Sequence, residues 1–353
     1  LNRESRKMEH IQKALQQPEV NESAFDDLTL LPNPISDVDM AQISLTTYLG
    51  ELTLSSPLLI NAMTGGARDT KEINRSLSRL ASKLSIPMAI GSQMSALKKP
   101  ELADTYKVVR EENPKGIIFA NLGQEATVEQ AKEAVEMVQA DALQIHLNVM
   151  QELIMPEGNR SFSGILGRIA KIIEKIEVPI IIKEVGFGMT AEAVRKLKEI
   201  GANIIDVGGK GGTNFAKIEN ARGGNPYPFL NNWGIPTPIA LLEALQIKGI
   251  QLVGSGGIRH GLDAIKALSL GASLVGIAGP ILKALHASGL EGAMRFIEDL
   301  HQQMRLIMTA VGARTIDQLR SVPVIIQGKS LEWCKERGIP TEIYARRKLD
   351  RSL

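Results

Sequence analysis

Residues 146–152 read HLNVMQE and close an apolar run, DALQIHLN, patterned as a buried strand. Four side chains there can do chemistry: the imidazole of His146, the amides of Asn148 and Gln151, and the carboxylate of Glu152. Strand alternation puts Gln144, His146 and Asn148 on one face, with Gln151 and Glu152 in the turn beyond. A satisfied core histidine is one reading of His146 alone; polar groups gathered this densely read instead as a site. A lone carboxylate suits Mg²⁺, which keeps much of its water and takes further ligands from substrate phosphates. Glu152 is too isolated for zinc.

Other chemistry-bearing residues sit at the ends of other apolar runs. Lys183 closes PIIIK, and a buried lysine either snorkels out or faces an anion or an electron-rich ring. Glycines cluster in GSGGIRHG (254–261) and GIAGP (276–280). Such turns let backbone N–H groups approach a phosphate at a helix N-terminus, and Pro280 fits the first turn of that helix. The same glycines could simply make tight turns. AMTGG (62–66), Ser92, Asn121 and Thr213 add donors at further strand ends. Together they describe a ring-shaped cofactor with a phosphate tail, for which flavin mononucleotide (FMN) is the natural candidate. Near the start, Arg6, Lys7 and His10 share one side of a helical stretch, spaced either to meet a multiply charged anion or to form a solvated face.

The elements that must position these groups follow a beat of short aliphatic run and amphipathic stretch. Strands are expected over 57–63, 87–92, 116–122, 142–148, 179–185, 204–209, 251–256 and 274–279. The intervening helices carry Thr127 and Thr190 as N-caps and Gly201 and Gly271 as stops. Eight alternations favour an α/β chain folded as a (β/α)8 TIM barrel over an open sheet, with the chemistry on the loops after the strands. Long loops follow the fourth and sixth strands. The expected division is one domain: an N-terminal helical extension over 1–55, with FDDLTLLPNPIS as a Pro-broken connector, the barrel over 57–290, and a C-terminal helix with an irregular tail over 291–353.

Composition narrows the class. With 353 residues, 44% of them hydrophobic, the chain can bury a large core. A net charge of +2 with interspersed signs offers no basic stripe for nucleic acid. The single cysteine, Cys334, excludes an intrachain disulfide and fits a reducing compartment. No apolar run is membrane-length and LNRESRKMEHIQKALQ is no signal peptide, so no membrane partner and a cytoplasmic location are expected.

RKMEH, FDDLTLLPNP, AMTGG, GSQ, NLG, QIHLNVMQE, MPEG, FSG, VPIIIKEVGFGM, GGKGGTNF, NNWGIPT, SGGIRHG and the AG pair together resemble the type II, flavin-dependent isopentenyl diphosphate isomerases, from about residue 3 to about 325. The resemblance implies interconversion of isopentenyl diphosphate and dimethylallyl diphosphate with reduced FMN, Mg²⁺, and NADPH only as flavin reductant, in a homo-octamer or homotetramer. The flavin contacts it implies are Ala62, Met63, Thr64, Ser92, Asn121, Lys183, Thr213, Gly257, Ile258, Arg259, Ala278 and Gly279. The substrate contacts are Arg6, Lys7, His10, Ser92, Gln93 and Gln151, with His146 and Asn148 holding the diphosphate end and Glu152 the metal. Many members read GSQR where this chain has GSQM, so Met94 supplies no guanidinium, and Lys98 or Lys99 stands near enough to compensate.

Rival readings ask for residues in other places. An FMN-dependent α-hydroxy acid oxidase needs a histidine base near the flavin, whereas the turn after the sixth strand reads GGKGG and His260 follows the phosphate turn. An inosine-monophosphate-dehydrogenase-like barrel needs a central-loop cysteine, and Cys334 lies in the tail. A non-catalytic flavin or isoprenoid-phosphate binder would not require Gln151 and Glu152 together.

Overall fold

The computed structural model describes residues 3–17, 23–224 and 226–347, with side chains from Lys7 onward. The side chain of Arg6 therefore lies outside the described residues. Eight strands, β1 (Leu58–Ile60), β2 (Met88–Ala89), β3 (Ile118–Gly123), β4 (Ala142–Leu147), β5 (Ile180–Glu184), β6 (Ile204–Asp206), β7 (Gln251–Ser255) and β8 (Leu274–Ile277), close into a barrel in sequence order. Every neighbouring pair is parallel. This is the expected (β/α)8 architecture. Most strands stop short of their expected C-terminal limits, because the Gly, Asn and Ser residues there leave the ladder and form the mouth.

The barrel interior is built in layers. Leu59, Ala89, Phe119, Ala142, Ile181, Ile204, Val253 and Leu274, one residue from each strand, form an apolar floor. A hairpin of Thr47–Leu49 and Leu52–Leu54 closes the N-terminal end, where Leu49 and Leu54 join that floor. Two residues further along each strand, alternation brings Asn61, Gly91, Asn121, Gln144, Lys183, Asp206, Ser255 and Gly276 to the same interior. This second layer is polar at six positions, and it forms the base of the mouth.

Two expectations for the flanks need correction. The FDDLTLLPNPIS connector is partly regular: Leu28–Leu30 pairs antiparallel with Val324–Ile326, tying the two ends of the chain together outside the barrel. The described part of the C-terminal tail is not irregular either, since helices Ile316–Leu319, Gly328–Arg337 and Glu342–Ala345 flank that strand in sequence. The eighth barrel helix, Gly279–Val311, breaks at Ser288 and Gly289, where Gly289 takes φ 65°. Thr127 and Thr190 accept hydrogen bonds as N-caps, as their positions predict. Among the described residues, no helix is long and apolar enough to cross a membrane.

Candidate active site

The polar layer is one continuous hydrogen-bonded network. Asp206, fully buried, accepts from Ser255 Oγ (2.5 Å), Asn61 Nδ2 (2.9 Å) and the Gly208 amide (3.2 Å), and pairs with Lys183 Nζ at 3.1 Å. Lys183 also donates to the Glu184 carbonyl at 2.9 Å. Asp206 is therefore the anion that the buried lysine needs. On the other side, Gln144 bridges Asn61 (3.2 Å) and Asn121 (2.9 Å), and Asn121 meets His146 Nδ1 at 2.9 Å. Gly276 makes room for this layer, since a Cβ there would lie 2.4 Å from Asn61 Nδ2.

Above the layer opens a cavity of about 990 Å³. Ala62, Met63, Thr64, Ser92, Asn121 and Lys183 line it from the strand ends. Thr213, Gly257, Ile258, Arg259, Ala278 and Gly279 line its far end. Three turns converge there: a Cβ on Gly212 would sit 3.0 Å from Gly257 N, and one on Gly279 3.4 Å from Thr213 Oγ1. Glycine at 212 keeps the Gly257 amide open, beside the start of the Pro280-led helix, and the cradle has the shape and polarity of a phosphate site. Buried Asp263 accepts from the Arg259 amide at 3.1 Å, which fixes the turn from behind. His260 caps the next helix by accepting from the Asp263 amide at 3.2 Å. Volume, cradle and donors all fit FMN.

His146, Asn148, Gln151 and Glu152 line the opposite wall, together with Lys7 and His10. Burial pulls the His146 pKa down, Glu125 opposes this, and Lys183 and Lys7 lower it further. Glu152 Oε1 accepts from Asn148 Nδ2 (3.0 Å) and Oε2 from the Asn159 amide (2.6 Å), leaving each oxygen a lone pair. Among the described residues, no group of three or more His, Cys, Asp or Glu forms a metal cage. A metal held by Glu152 would thus complete its shell from phosphate and water, as suits Mg²⁺.

The helix Arg3–Gln16 lies across this mouth. Lys7 Nζ contacts the carbonyls of Gly65 and Ser92 (3.0 Å to the latter), Ser95 Oγ (2.9 Å) and Tyr106 OH (2.7 Å). It anchors the helix as well as lining the site. His10 Nε2 lies 2.9 Å from Glu219 Oε1, the same oxygen that accepts from Gln151 Nε2 at 2.9 Å. Glu219 also pairs with Arg222, which in turn meets Glu9 (2.9 Å) and Glu157 (2.8 Å). Burial alone would raise the Glu219 pKa, but His10 beside it and the hydrogen bonds from Gln151 and Arg222 outweigh this and hold the carboxyl below its usual value.

Gln93 is a correction. It is fully buried and absent from the cavity wall, donating instead to the Ala134 carbonyl at 2.8 Å and accepting from the Asn121 amide at 3.1 Å. The resemblance implied a substrate contact there, but beyond Ala89 the backbone leaves the strand and turns this side chain away from the cavity. Lys98 lines the cavity one helical turn after Met94, whereas Lys99 does not. Sequence reasoning missed Asn61, Asp206 and Glu219. Asp206 carried a signal: it is a charged residue ending an aliphatic run, as Lys183 is. Glu219, inside the helix Phe215–Arg222, carried none.

Glu184 stands behind Lys183 and ties down the following loop, its Oε2 accepting from the amides of Gly186 (2.7 Å), Phe187 (2.5 Å) and Gly188 (3.2 Å). Burial nevertheless pushes its pKa up, to about 7. With the folded value above the unfolded one, its contribution to stability is full below about pH 4.5 and is lost as pH rises through about 7. Thermal midpoints across that window should show the wild type losing ground to Glu184→Gln as pH rises. Parallel curves would show that Glu184 is not buried as a titrating group.

Comparison with known proteins agrees with this geometry. Residues 127–325 match the sequence model of the FMN-dependent dehydrogenase family. An isopentenyl-diphosphate delta-isomerase from Geobacillus sp. is 52% identical over 347 residues, covering 98% of this chain and 99% of the relative. This chain belongs to the isopentenyl-diphosphate delta-isomerase family. The isomerase from Bacillus licheniformis is 48% identical over 349 residues, covering 98% and 100% of the two chains. These are the flavin-dependent, type II isomerases, so the family expected from the motifs is the family found. Among solved structures, a flavocytochrome b2 variant aligns with a TM-score of 0.68 at 20% identity, covering 98% of this chain and 89% of the other. A mandelate oxidase carrying a C4a-OH-FMN adduct aligns at 0.65 and 17%, covering 90% and 95%. At that identity this chain shares their fold alone.

Proposed function

We propose that this chain interconverts isopentenyl diphosphate and dimethylallyl diphosphate in the cytoplasm, by adding one proton and removing another, with reduced FMN as the acid/base group and Mg²⁺ on the diphosphate. NADPH would serve only to reduce the flavin, and the working form would be a homo-octamer or homotetramer. The observation that carries the reading is the two-walled cavity: the glycine cradle and Lys183 on one side, and His146, Asn148, Gln151 and Glu152 on the other.

Moving the double bond passes through a state with tertiary-carbocation character. A positioned side-chain acid contributes roughly 10²- to 10⁴-fold, or about 3–5 kcal/mol, too little to protonate an unactivated alkene alone. When bound, reduced FMN supplies an electron-rich ring beside that cation and a ring nitrogen able to exchange a proton. The chain's own groups do the rest. Ala62, Met63, Thr64, Ser92, Asn121, Lys183 and Thr213 would hold the ring and its chain, and the backbone of Gly257, Ile258, Arg259, Ala278 and Gly279 the phosphate. His146, Asn148, Arg6, Lys7 and Lys98 would bind the diphosphate, with Lys98 supplying the charge that Met94 does not. Gln151 points its amide N–H at an ionised, buried carboxylate, so its carbonyl can face the departing proton. In a relay the carbonyl oxygen takes that proton while Nε2 passes its own to Glu219, and the imidic acid so formed returns to the amide when the protons move back. His10 holds Glu219 in place and closes the helix over the reacting carbons.

Glu152→Gln keeps the side chain's shape and one of its two acceptor contacts, to Asn148 Nδ2 or to the Asn159 amide, but removes the charge. It should leave FMN binding intact and raise the Mg²⁺ concentration for half-maximal activity at least tenfold. Full activity at low Mg²⁺ would take Glu152 out of the metal site.

A further inference from the structure

The three side chains linking Asp206 to His146 form a directional chain, and its direction follows from the carboxylate. A carboxylate only accepts, so Asn61, 2.9 Å away, must present its NH₂ to Asp206. The Ala62 amide, donating to Asn61 Oδ1 at 2.9 Å, requires the same orientation independently. Asn61 Oδ1 then accepts from Gln144 Nε2, Gln144 Oε1 accepts from Asn121 Nδ2, and Asn121 Oδ1 is left facing His146 Nδ1 at 2.9 Å. An amide oxygen cannot donate, so the imidazole must carry its proton on Nδ1. Every amide in the chain is buried, which makes a reversed member expensive.

We propose that Asp206, acting through Asn61, Gln144 and Asn121 across the barrel, sets the tautomer of His146, so that the cavity meets an Nε2 lone pair. Asp206 is then a positioning residue whose effect is delivered on the far side of the barrel. His146 faces the site as a hydrogen-bond and proton acceptor. On the reading that a diphosphate binds here, it takes up a proton at Nε2 when that anion arrives. The charged groups around it are Glu125, Lys183 and Lys7, and the Leu122 carbonyl lies against the ring as the competing acceptor.

The test is ¹⁵N NMR of histidine-labelled, FMN-loaded protein without substrate, so its outcome is independent of the diphosphate reading. His146→Gln assigns the signal. The wild type should show a protonated Nδ1 and a bare Nε2, and an Nε2–H tautomer would overturn the proposal. Gln144→Met cuts the chain in the middle and should let the Nε2–H form appear. Gln144→Glu places a new carboxylate against Asn121 and should keep Nδ1–H. Asp206→Asn removes the carboxylate but leaves the Ala62 amide on Asn61, so it should let the Nε2–H form appear to a smaller extent than Gln144→Met does, and no change at all would take Asp206 out of the chain. FMN absorbance confirms that each variant is folded. Identical tautomers in the Met and Glu variants would mean that the layer only fills space.

Discussion

Glu219→Gln is expected to lower kcat by about 10²- to 10⁴-fold while FMN stays bound. The carboxylate sits behind the Gln151 amide at 2.9 Å and beside His10 at 2.9 Å, and it is held ionised by its donors. Glutamine keeps the volume and can still accept from Gln151, but it cannot take a proton. Arg222 retains Glu9 and Glu157, so the loss of one carboxylate does not strand it. The phosphate cradle lies at the other end of the cavity. The check is steady-state turnover of isopentenyl diphosphate alongside flavin content. A fall of less than threefold would remove Glu219 from the proton path, and a loss of flavin in proportion to activity would make its role structural.

Lys183→Met should give the second large effect, on stability and flavin together. Lys183 and Asp206 are 3.1 Å apart and both buried, and breaking such a pair by removing one partner typically costs about 3–5 kcal/mol. Asp206 keeps Ser255, Asn61 and the Gly208 amide, which argues for the lower end, about 3 kcal/mol. Lys183 also lines the cavity, so FMN affinity should fall at least tenfold. Urea unfolding of the apoprotein separates the two effects, and flavin titration reads the second. An unchanged unfolding midpoint would mean that the pair is not desolvated. Unchanged FMN affinity would place the lysine away from the flavin.

The barrel was legible because burial on both faces makes each strand a short aliphatic run, and each run ends where the chain must turn. The polar strand ends were legible for the same reason: His146, Asn148 and Lys183 interrupt runs that would otherwise be apolar. The partners across the barrel were not. Nothing local says that the oxygen 2.9 Å from both His10 Nε2 and Gln151 Nε2 belongs to Glu219, because that contact closes loops of 209 and 68 residues. Gln93 was expected at the substrate because the GSQ motif resembles the family's, and a motif does not say which way a side chain turns; past the last paired residue of β2 the backbone sends it to the Ala134 carbonyl. The hairpin Thr47–Leu49 and Leu52–Leu54 escaped because its strands are three residues each, too short to show a period.

The most direct test of the central claim follows hydrogen rather than electrons. The FMN-loaded protein, reduced anaerobically, is incubated with isopentenyl diphosphate and Mg²⁺ in D₂O, and the recovered diphosphates are examined by mass spectrometry while the flavin spectrum is followed. Dimethylallyl diphosphate should carry deuterium, with many turnovers per flavin and no net flavin oxidation. Product free of deuterium, or one flavin oxidised for each product formed, would contradict it.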